Sequence, residues 1–513
     1  MRKVPGPIVL LILDGIASHD PHPGNAVTLA NPKFLGSAWE SYPHGLLYAS
    51  AEQVGLPKNV KGNSEVGHTN IGAGKIVYQD LPRINQAIEK KIFFSNSVLL
   101  DMLRRVKERG TTLHLLLCLS DGNVHASIEH LRATLEMCMQ KNVSNVLIHA
   151  FTDGRDSFQK SAGSYFLQVE QWIKDYRVGQ IATLVGRQFA MDRNKTWERT
   201  EKAYYLLLGK KGTKVTTWQE ALETSYSKGI TDEFIEPHFI LPPDQANIKE
   251  GDSVFFLNFR PDRAIQLTKA LVDQKFAGFS RSFTVSNIEM VTMTRYSSDL
   301  DTKVVFEKND VQMPLGRVLS LAGLQQLRLT ESQKFPHVTY FFNGGANMIY
   351  PGEVRVNIPS PMVPTFDVQP EMSIYQVLER FQHELAQNIY DFYVINFANG
   401  DMVGHTGNLM AGIKAIQHVD YCTAQVVNSV LSKNGAVFIT ADHGNIDEMI
   451  NLETGEIDTE HSIFPVPFIA VYKDASAYQF PIGRLADIAP TILDFFGLET
   501  PADMTGRNLL DGS

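Results

Sequence analysis

The chain has 513 residues, 43% of them hydrophobic and 20% charged, with 37 glycines and 24 prolines. That composition excludes a fibrous or disordered chain and leaves room for roughly two to four folded domains. A formal net charge of −9 argues against a broad basic face for nucleic acid, and no apolar run approaches the ~18 residues that span a bilayer.

The first apolar run, Ile8–Leu13, follows Pro-Gly-Pro and stops at Asp14-Gly15. It is too short for the core of a signal peptide and predicts a buried first strand. Asp-Gly is a common turn pair, yet Asp14 also stands where a buried strand ends, the place where ligands gather in open α/β sheets. A helix is predicted over 31–42. The run Gly62-Asn63-Ser64-Glu65-Val66-Gly67-His68 then sets a serine among small residues just before a predicted helix. Residue types leave two readings open for Ser64: an N-cap, or a nucleophile whose phosphoryl adduct would sit at a helix N-terminus.

From about residue 74 the character changes. Charge-rich helical sequence (81–107) leads into a second series of buried strands at Leu113–Leu119, 146–151, 181–185 and 253–259, separated by helical patterns such as 127–141 and 161–176. This alternation predicts a parallel sheet with crossover helices. The predicted strand ends carry His125, then Arg155 and Asp156, then Arg187 and Arg193, then Arg260 and Arg263. Guanidinium forks bind phosphate and carboxylate in bidentate fashion. Five arginines so placed in an acidic chain read as an anion clamp, with His125 and Asp156 as candidate proton-handling or hydroxyl-binding groups. Cys118, Cys138 and Cys422 are scattered and odd in number. They fit neither a disulfide framework nor a thiolate metal site, so a reducing, cytoplasmic setting is expected.

The polar stretch 295–312 reads as a linker, and the apolar run 338–345 as a strand, with Lys334 just before it. Two further apolar runs, Phe392–Phe397 and Ala436–Thr440, each end in metal-ligand types: Asn399-Gly-Asp401-Met-Val-Gly-His405 after the first, and Asp442-His443-Gly444 after the second. His461 follows. Carboxylate mixed with imidazole suits Mn²⁺ or Zn²⁺ rather than Ca²⁺ or a thiolate zinc site. A last strand (468–472) and helix (486–496) close the pattern. Metal-type residues thus lie at both ends of the chain and the arginines in the middle. The fold class expected is α/β, with one α/β domain (1–76 plus 311–513) interrupted by an inserted α/β domain (77–310), and paired linkers that would make a hinge.

The runs Asp14-Gly, Gly62-Asn-Ser64-Glu-Val-Gly-His, Thr152-Asp-Gly-Arg155-Asp156, Ala190-Met-Asp-Arg193, Asn258-Phe-Arg260-Pro-Asp-Arg263, Asp401-Met-Val-Gly-His405-Thr-Gly and Thr440-Ala-Asp442-His443-Gly-Asn together resemble the cofactor-independent (2,3-bisphosphoglycerate-independent) phosphoglycerate mutases of the alkaline phosphatase superfamily. The resemblance runs from the first strand to the last helix. It implies an alkaline-phosphatase-like metal domain with an inserted phosphotransferase domain. It also implies two divalent ions, Mn²⁺ above all, one held by Asp401, His405 and His461 and the other by Asp14, Ser64, Asp442 and His443. Ser64 would be the phosphoryl acceptor and Asp156 and Lys334 catalytic. Substrate contacts would come from His125, Arg155, Asp156, Arg187, Arg193, Arg260, Arg263 and Lys334. The implied partner is a small phosphoglycerate, with no nucleic acid or membrane, and the protein is expected to be a monomeric glycolytic isomerase. Departures from the pattern are Gln188-Phe189, Asn194 and the run Ser-Gln-Lys334-Phe-Pro, which bear on substrate affinity. A phosphatase or phosphopentose mutase sharing the metal set, and a silent metabolite-binding protein, are the alternatives. Five clustered arginines suit a small carboxylated phosphate better than a sugar, and no metal-type residue is missing.

Overall fold

The computed structural model describes residues 3–308 and 310–511. By contacts it divides into two compact units, Met1–Gln79 with Asn309–Ser513, and Asp80–Lys308. Each has its own apolar core, as a domain requires.

Strands in chain order are β1 (Ile8–Leu13), β2 (His44–Tyr48), β3 (Leu113–Leu119), β4 (Val146–Thr152), β5 (Gln180–Gly186), β6 (Thr213–Lys214), β7 (His238–Phe239) and β8 (Ser253–Phe256). They continue with β9 (Glu289–Thr294), β10 (Lys303–Phe306), β11 (Gln326–Glu331), β12 (Glu353–Ile358), β13 (Phe392–Phe397), β14 (Ala436–Thr440), β15 (Val466–Tyr472) and β16 (Gly483–Arg484). The first unit carries an eight-stranded sheet in the order β12-β11-β13-β1-β14-β15-β2-β16. Its centre, β11-β13-β1-β14, is wholly parallel, and β15 turns antiparallel at the side. The second unit carries another eight-stranded sheet, β10-β9-β8-β3-β4-β5-β7-β6, parallel from β10 through β5.

Every residue of β1, β3, β4, β13 and β14 is buried. Helices cover both faces of such sheets, which is why these strands are continuous apolar runs with no alternation to betray them. The parallel arrangement also puts the carboxyl ends of β11, β13, β1 and β14 on one rim, and those of β8, β3, β4 and β5 on one rim of the other sheet.

Several elements differ from expectation. The run 338–345 is not a strand but a π-helical turn, His337–Phe341, after a 3₁₀ turn at Ser332–Lys334. A short apolar run carries no periodicity that separates strand from buried helix. The stretch 295–312 contains β10, whose Val304 and Val305 are buried; its few residues are too short to stand out in polar surroundings. The strand expected over 253–259 stops at Phe256, and 81–107 breaks into helices Asp80–Glu89 and Ser97–Arg109 around Lys91, which takes positive φ.

Candidate active site

In the first unit, four parallel strands each deliver a polar group at the carboxyl end: β1 brings Asp14, β11 leads to Lys334, β13 to Asp401 and His405, and β14 to Asp442 and His443. Ser64 opens helix Ser64–Ala73, whose first turn is capped by the Asn63 side chain accepting from Val66 N at 3.0 Å. Gly67 lets this helix lie against β14, since a Cβ there would stand 2.6 Å from the carbonyl oxygen of Asp442. Gly15, with φ +75°, lets the β1 turn pass equally close to Asp401.

The structure therefore gathers Asp14, Ser64, Lys334, Asp401, His405, Asp442, His443 and His461 on one rim. Ser64 Oγ lies 2.9 Å from His443 Nε2 and 3.3 Å from Asp14 Oδ1. Lys334 Nζ donates to Ser64 Oγ and Asp14 Oδ1, both at 2.7 Å, and to Asp401 Oδ2 at 2.6 Å. Asp401 Oδ1 is 3.1 Å from His461 Nε2 and 3.2 Å from His405 Nε2.

These residues fit a metal centre. His405 Nδ1 pairs with Thr459 O at 2.8 Å, His461 Nδ1 with Gly62 O at 2.7 Å and His443 Nδ1 with Gly444 O at 3.2 Å. A carbonyl can only accept, so each Nδ1 carries the hydrogen and each Nε2 lone pair points inward, the orientation that metal-ligating histidines take. The Nε2 atoms of His405 and His461 face each other at 3.1 Å, an arrangement that calls for a cation between or beside them. Among the described residues, three groupings have ligand atoms close enough to share an ion: Asp401, His405 and His461; Asp14, Asp401 and His443; Asp14, His68 and Asp442. Charge points the same way. Asp14, Asp401 and Asp442 are buried around the ammonium of Lys334. Burial works against ionisation of Asp401 and Asp442, yet Lys334 and the imidazoles hold both below the usual carboxylate range. The surplus of carboxylates over cations shows at Asp14, whose pKa is raised by burial and then by the Asp442 charge, so that its ionised form awaits a further cation.

Three residues here were quoted in motifs or strands without a role. Asn396 Nδ2 donates to Asp14 Oδ2 at 2.7 Å and to His68 Nε2 at 3.1 Å, while His68 Nδ1 donates to Ser64 O at 2.9 Å. His68 Nδ1 also lies 3.1 Å from Asp442 Oδ2. With both ring nitrogens engaged, His68 acts as a brace for Ser64 and Asp14. Asn445 Nδ2 holds Asp401 Oδ1 at 3.0 Å. His68 and Asn445 sit in the ligand motifs themselves, which was the available signal; Asn396 offered another, an amide one residue from the carboxyl end of the apolar β13.

In the second unit the ends of β3, β4, β5 and β8 bring together His125, Arg155, Asp156, Arg187, Arg193, Arg260 and Arg263. The hub is Asp153, which sequence reasoning assigned no role. Its Oδ1 accepts from Arg155 N at 3.2 Å, Asp156 N at 3.0 Å and Arg187 Nη1 at 2.5 Å, and its Oδ2 from Ser120 Oγ at 2.5 Å. Arg187 is buried and also bonds Asp156. Arg155, Arg193 and Arg260 are about half exposed and pair with Glu233, Asp262 and Asp262 respectively. Burial, followed by the charges of Arg187, Arg193 and Arg155, lowers the proton affinity of Arg263. Guanidinium groups that crowd one another in this way are relieved by an anion.

Fold and site define the class first: an α/β protein with a serine–carboxylate–imidazole centre on a parallel rim, in a fold like that of the phosphoglycerate mutases. The solved Leishmania mexicana phosphoglycerate mutase at low cobalt concentration superposes with a TM-score of 0.57 at 28% identity, covering 98% of this chain and 97% of its own. Residues 84–298 match the family pattern described as BPG-independent PGAM N-terminus. The 2,3-bisphosphoglycerate-independent phosphoglycerate mutase of Clostridium beijerinckii is 46% identical over 507 residues, covering 98% of this chain and 99% of its own length. That of Clostridium perfringens is 45% identical over 509 residues with the same coverage. The chain belongs to the 2,3-bisphosphoglycerate-independent phosphoglycerate mutase family.

Proposed function

We propose that the protein interconverts 3-phosphoglycerate and 2-phosphoglycerate by intramolecular phosphoryl transfer through phosphoserine at Ser64, with no need for added 2,3-bisphosphoglycerate. The observation that carries this reading is Ser64 Oγ, at a helix N-terminus, within hydrogen-bond distance of both His443 Nε2 and Lys334 Nζ.

On this reading Asp401, His405 and His461 would hold one divalent ion and Asp14, Ser64, Asp442 and His443 a second. Mixed oxygen and nitrogen donors accept several ions, and Mn²⁺ is the one the family resemblance implies. Such ions, when bound, lower the proton affinity of the Ser64 hydroxyl and neutralise the buried carboxylates. Ser64 Oγ attacks phosphorus in line as the bond to the 3-oxygen breaks, and Lys334 donates to the charge developing on the phosphoryl oxygens. The arginine group with His125 keeps the glycerate in place. Asp156 then accepts the 2-hydroxyl proton, and the 2-oxygen takes the phosphoryl group back from Ser64. Water would complete the same step in a phosphatase, so retention of glycerate is what makes the reaction an isomerisation. The protein is expected to act as a monomer in the cytoplasm.

A coupled assay for interconversion of the two phosphoglycerates, with Mn²⁺ and without 2,3-bisphosphoglycerate, tests the proposal. Activity is expected, stopped by chelation and restored by Mn²⁺; Ser64→Ala should be inactive while still binding substrate. An absolute need for the bisphosphate, or a substantially active Ser64→Ala, would overturn it.

A further inference from the structure

We propose that Asp262 is a positioning residue that fixes the tautomer of His125, so that the imidazole presents an unprotonated Nε2 to Asp156 and relays the proton Asp156 accepts. This rests on the reading of Asp156 as the base for the 2-hydroxyl.

Asp262 sits in the 3₁₀ turn Pro261–Arg263 just beyond β8. Its Oδ2 accepts from Arg193 Nη1 at 2.8 Å, and its Oδ1 lies 3.2 Å from Arg260 Nε. Two guanidiniums from separate segments keep the carboxylate ionised, against the opposing effect of burial. The backbone of His125 is tied to the same segment, its carbonyl accepting from Phe259 N at 2.9 Å and Arg260 N at 3.3 Å. Each edge of the buried His125 ring then faces a carboxylate: Nδ1 is 3.5 Å from Asp262 Oδ1, and Nε2 is 3.6 Å from Asp156 Oδ2. Both atoms are buried; Nδ1 has no hydrogen-bond partner, and Asp262 Oδ1, though ion-paired with Arg260, accepts no well-aligned hydrogen bond. Each is the other's complement, and a modest tightening closes the gap, as occurs when catalytic sites fill.

A neutral imidazole has one proton to place. A lone pair on Nδ1 would face the lone pairs of Asp262 Oδ1 with both atoms buried, whereas a hydrogen there is attracted. At the other edge, Asp156 Oδ2 already accepts from Arg187 and draws less on a second donor. The ring stays neutral in the resting protein, because burial and then the Arg187 charge push its pKa down to about 4. Proton flow then balances. The O–H bond of the 2-hydroxyl breaks as an O–H bond forms on Asp156. That proton passes to His125 Nε2, its N–H bond forming as the Asp156 O–H bond breaks, which gives an imidazolium between two carboxylates. The leaving 3-oxygen takes the Ser64 hydroxyl proton. The imidazolium proton replaces it on Ser64 through solvent once the 2-oxygen has taken the phosphoryl group, so no net proton is gained or lost. The return reaction runs the same steps backwards.

The test reads the tautomer directly. With ¹⁵N-histidine-labelled protein, and the His125 signals assigned by their loss in His125→Gln, long-range ¹⁵N–¹H correlations near pH 7.5 should show the Nδ1–H form in the parent and the Nε2–H form in Asp262→Asn. An Nε2–H parent overturns the proposal, and this arm of the test needs neither turnover nor a folded Asp262→Asn. In the phosphoglycerate assay Asp262→Asn should lose about 10- to 100-fold in kcat. A change confined to KM would mean that Asp262 only holds arginines, and would overturn the relay. A parent without mutase activity would instead count against the function proposed above, leaving the tautomer result standing.

Discussion

At the scale of single residues, the chemistry depends on charges placed where folding alone would not put them. Lys334 is the clearest case: a buried ammonium bonded to Asp14, Asp401 and Ser64 at once. Removing one partner from such a group leaves uncompensated buried charge, at about 3 to 5 kcal/mol. Lys334→Met is therefore expected to destabilise the metal-free protein by about that amount, with Mn²⁺ recovering part of the loss. It should also lower kcat by about 100-fold or more; thermal melts with and without metal, beside the assay, check both. Glu331, buried at the end of β11 with Oε2 unbonded, makes a separate case. Burial pushes its pKa from 4.5 up to about 7, against hydrogen bonds from Ser360 and Ser373. A raised folded-state pKa favours the neutral form, so the stability it contributes is full below pH 4.5 and lost as pH rises through about 7. Glu331→Gln should thus match the parent near pH 4.5 and exceed it at pH 8 by up to about 3 kcal/mol, as denaturant melts across that range will show.

At the scale of elements, both clusters come from one device, a run of parallel strands whose ends share a rim. Helix Ser64–Ala73 can bring Ser64 to that rim only because Gly67 has no side chain. A methyl there would meet Asp442 at 2.6 Å from its carbonyl oxygen and 2.7 Å from its Cβ. Neither atom can swing away, since both belong to the turn that presents the ligands. Gly67→Ala should cost about 1 to 3 kcal/mol by overpacking and at least about tenfold in activity by moving Ser64 from His443. A fall in melting temperature with unchanged activity would show that the helix tolerates displacement. The π-helical turn His337–Phe341 belongs here too: it follows Lys334 directly, and local departures from α-helical winding recur beside functional groups.

At the scale of the whole molecule, each unit has its own sheet and its own buried core. A core of that size is enough for independent folding. Residues 80–308 expressed alone are therefore expected to unfold in one cooperative transition, coincident by circular dichroism and fluorescence, and to lack any isomerase activity. A molten, non-cooperative fragment would show that the inserted unit depends on the rest of the chain. No helix among the described residues is long and apolar enough to cross a membrane, and Cys118, Cys138 and Cys422 are free and buried.

Much of this was legible in the residues. Fully buried strands are apolar throughout, so β1, β3, β13 and β14 stood out, and polar groups just past them pointed to one rim per sheet. Asp14, Asp401, His405, Asp442 and His443 were nameable because each follows such a run, whereas Ser64 and Lys334 took their roles from the family resemblance and His461 from its residue type beside the Asp442-His443 motif. What the residues could not decide were relations between segments far apart in the chain. The strand-like run at 338–345 was wound into a helical turn, short β10 was recruited to an edge, Asn396 was aimed at Asp14, and Asp153 became the hub of the arginines. The physical reason is common to all four. Burial and strand identity follow from local composition, whereas a contact between different elements, such as Asp153 with Arg187 or Asn396 with Asp14, exists only once packing has fixed both ends.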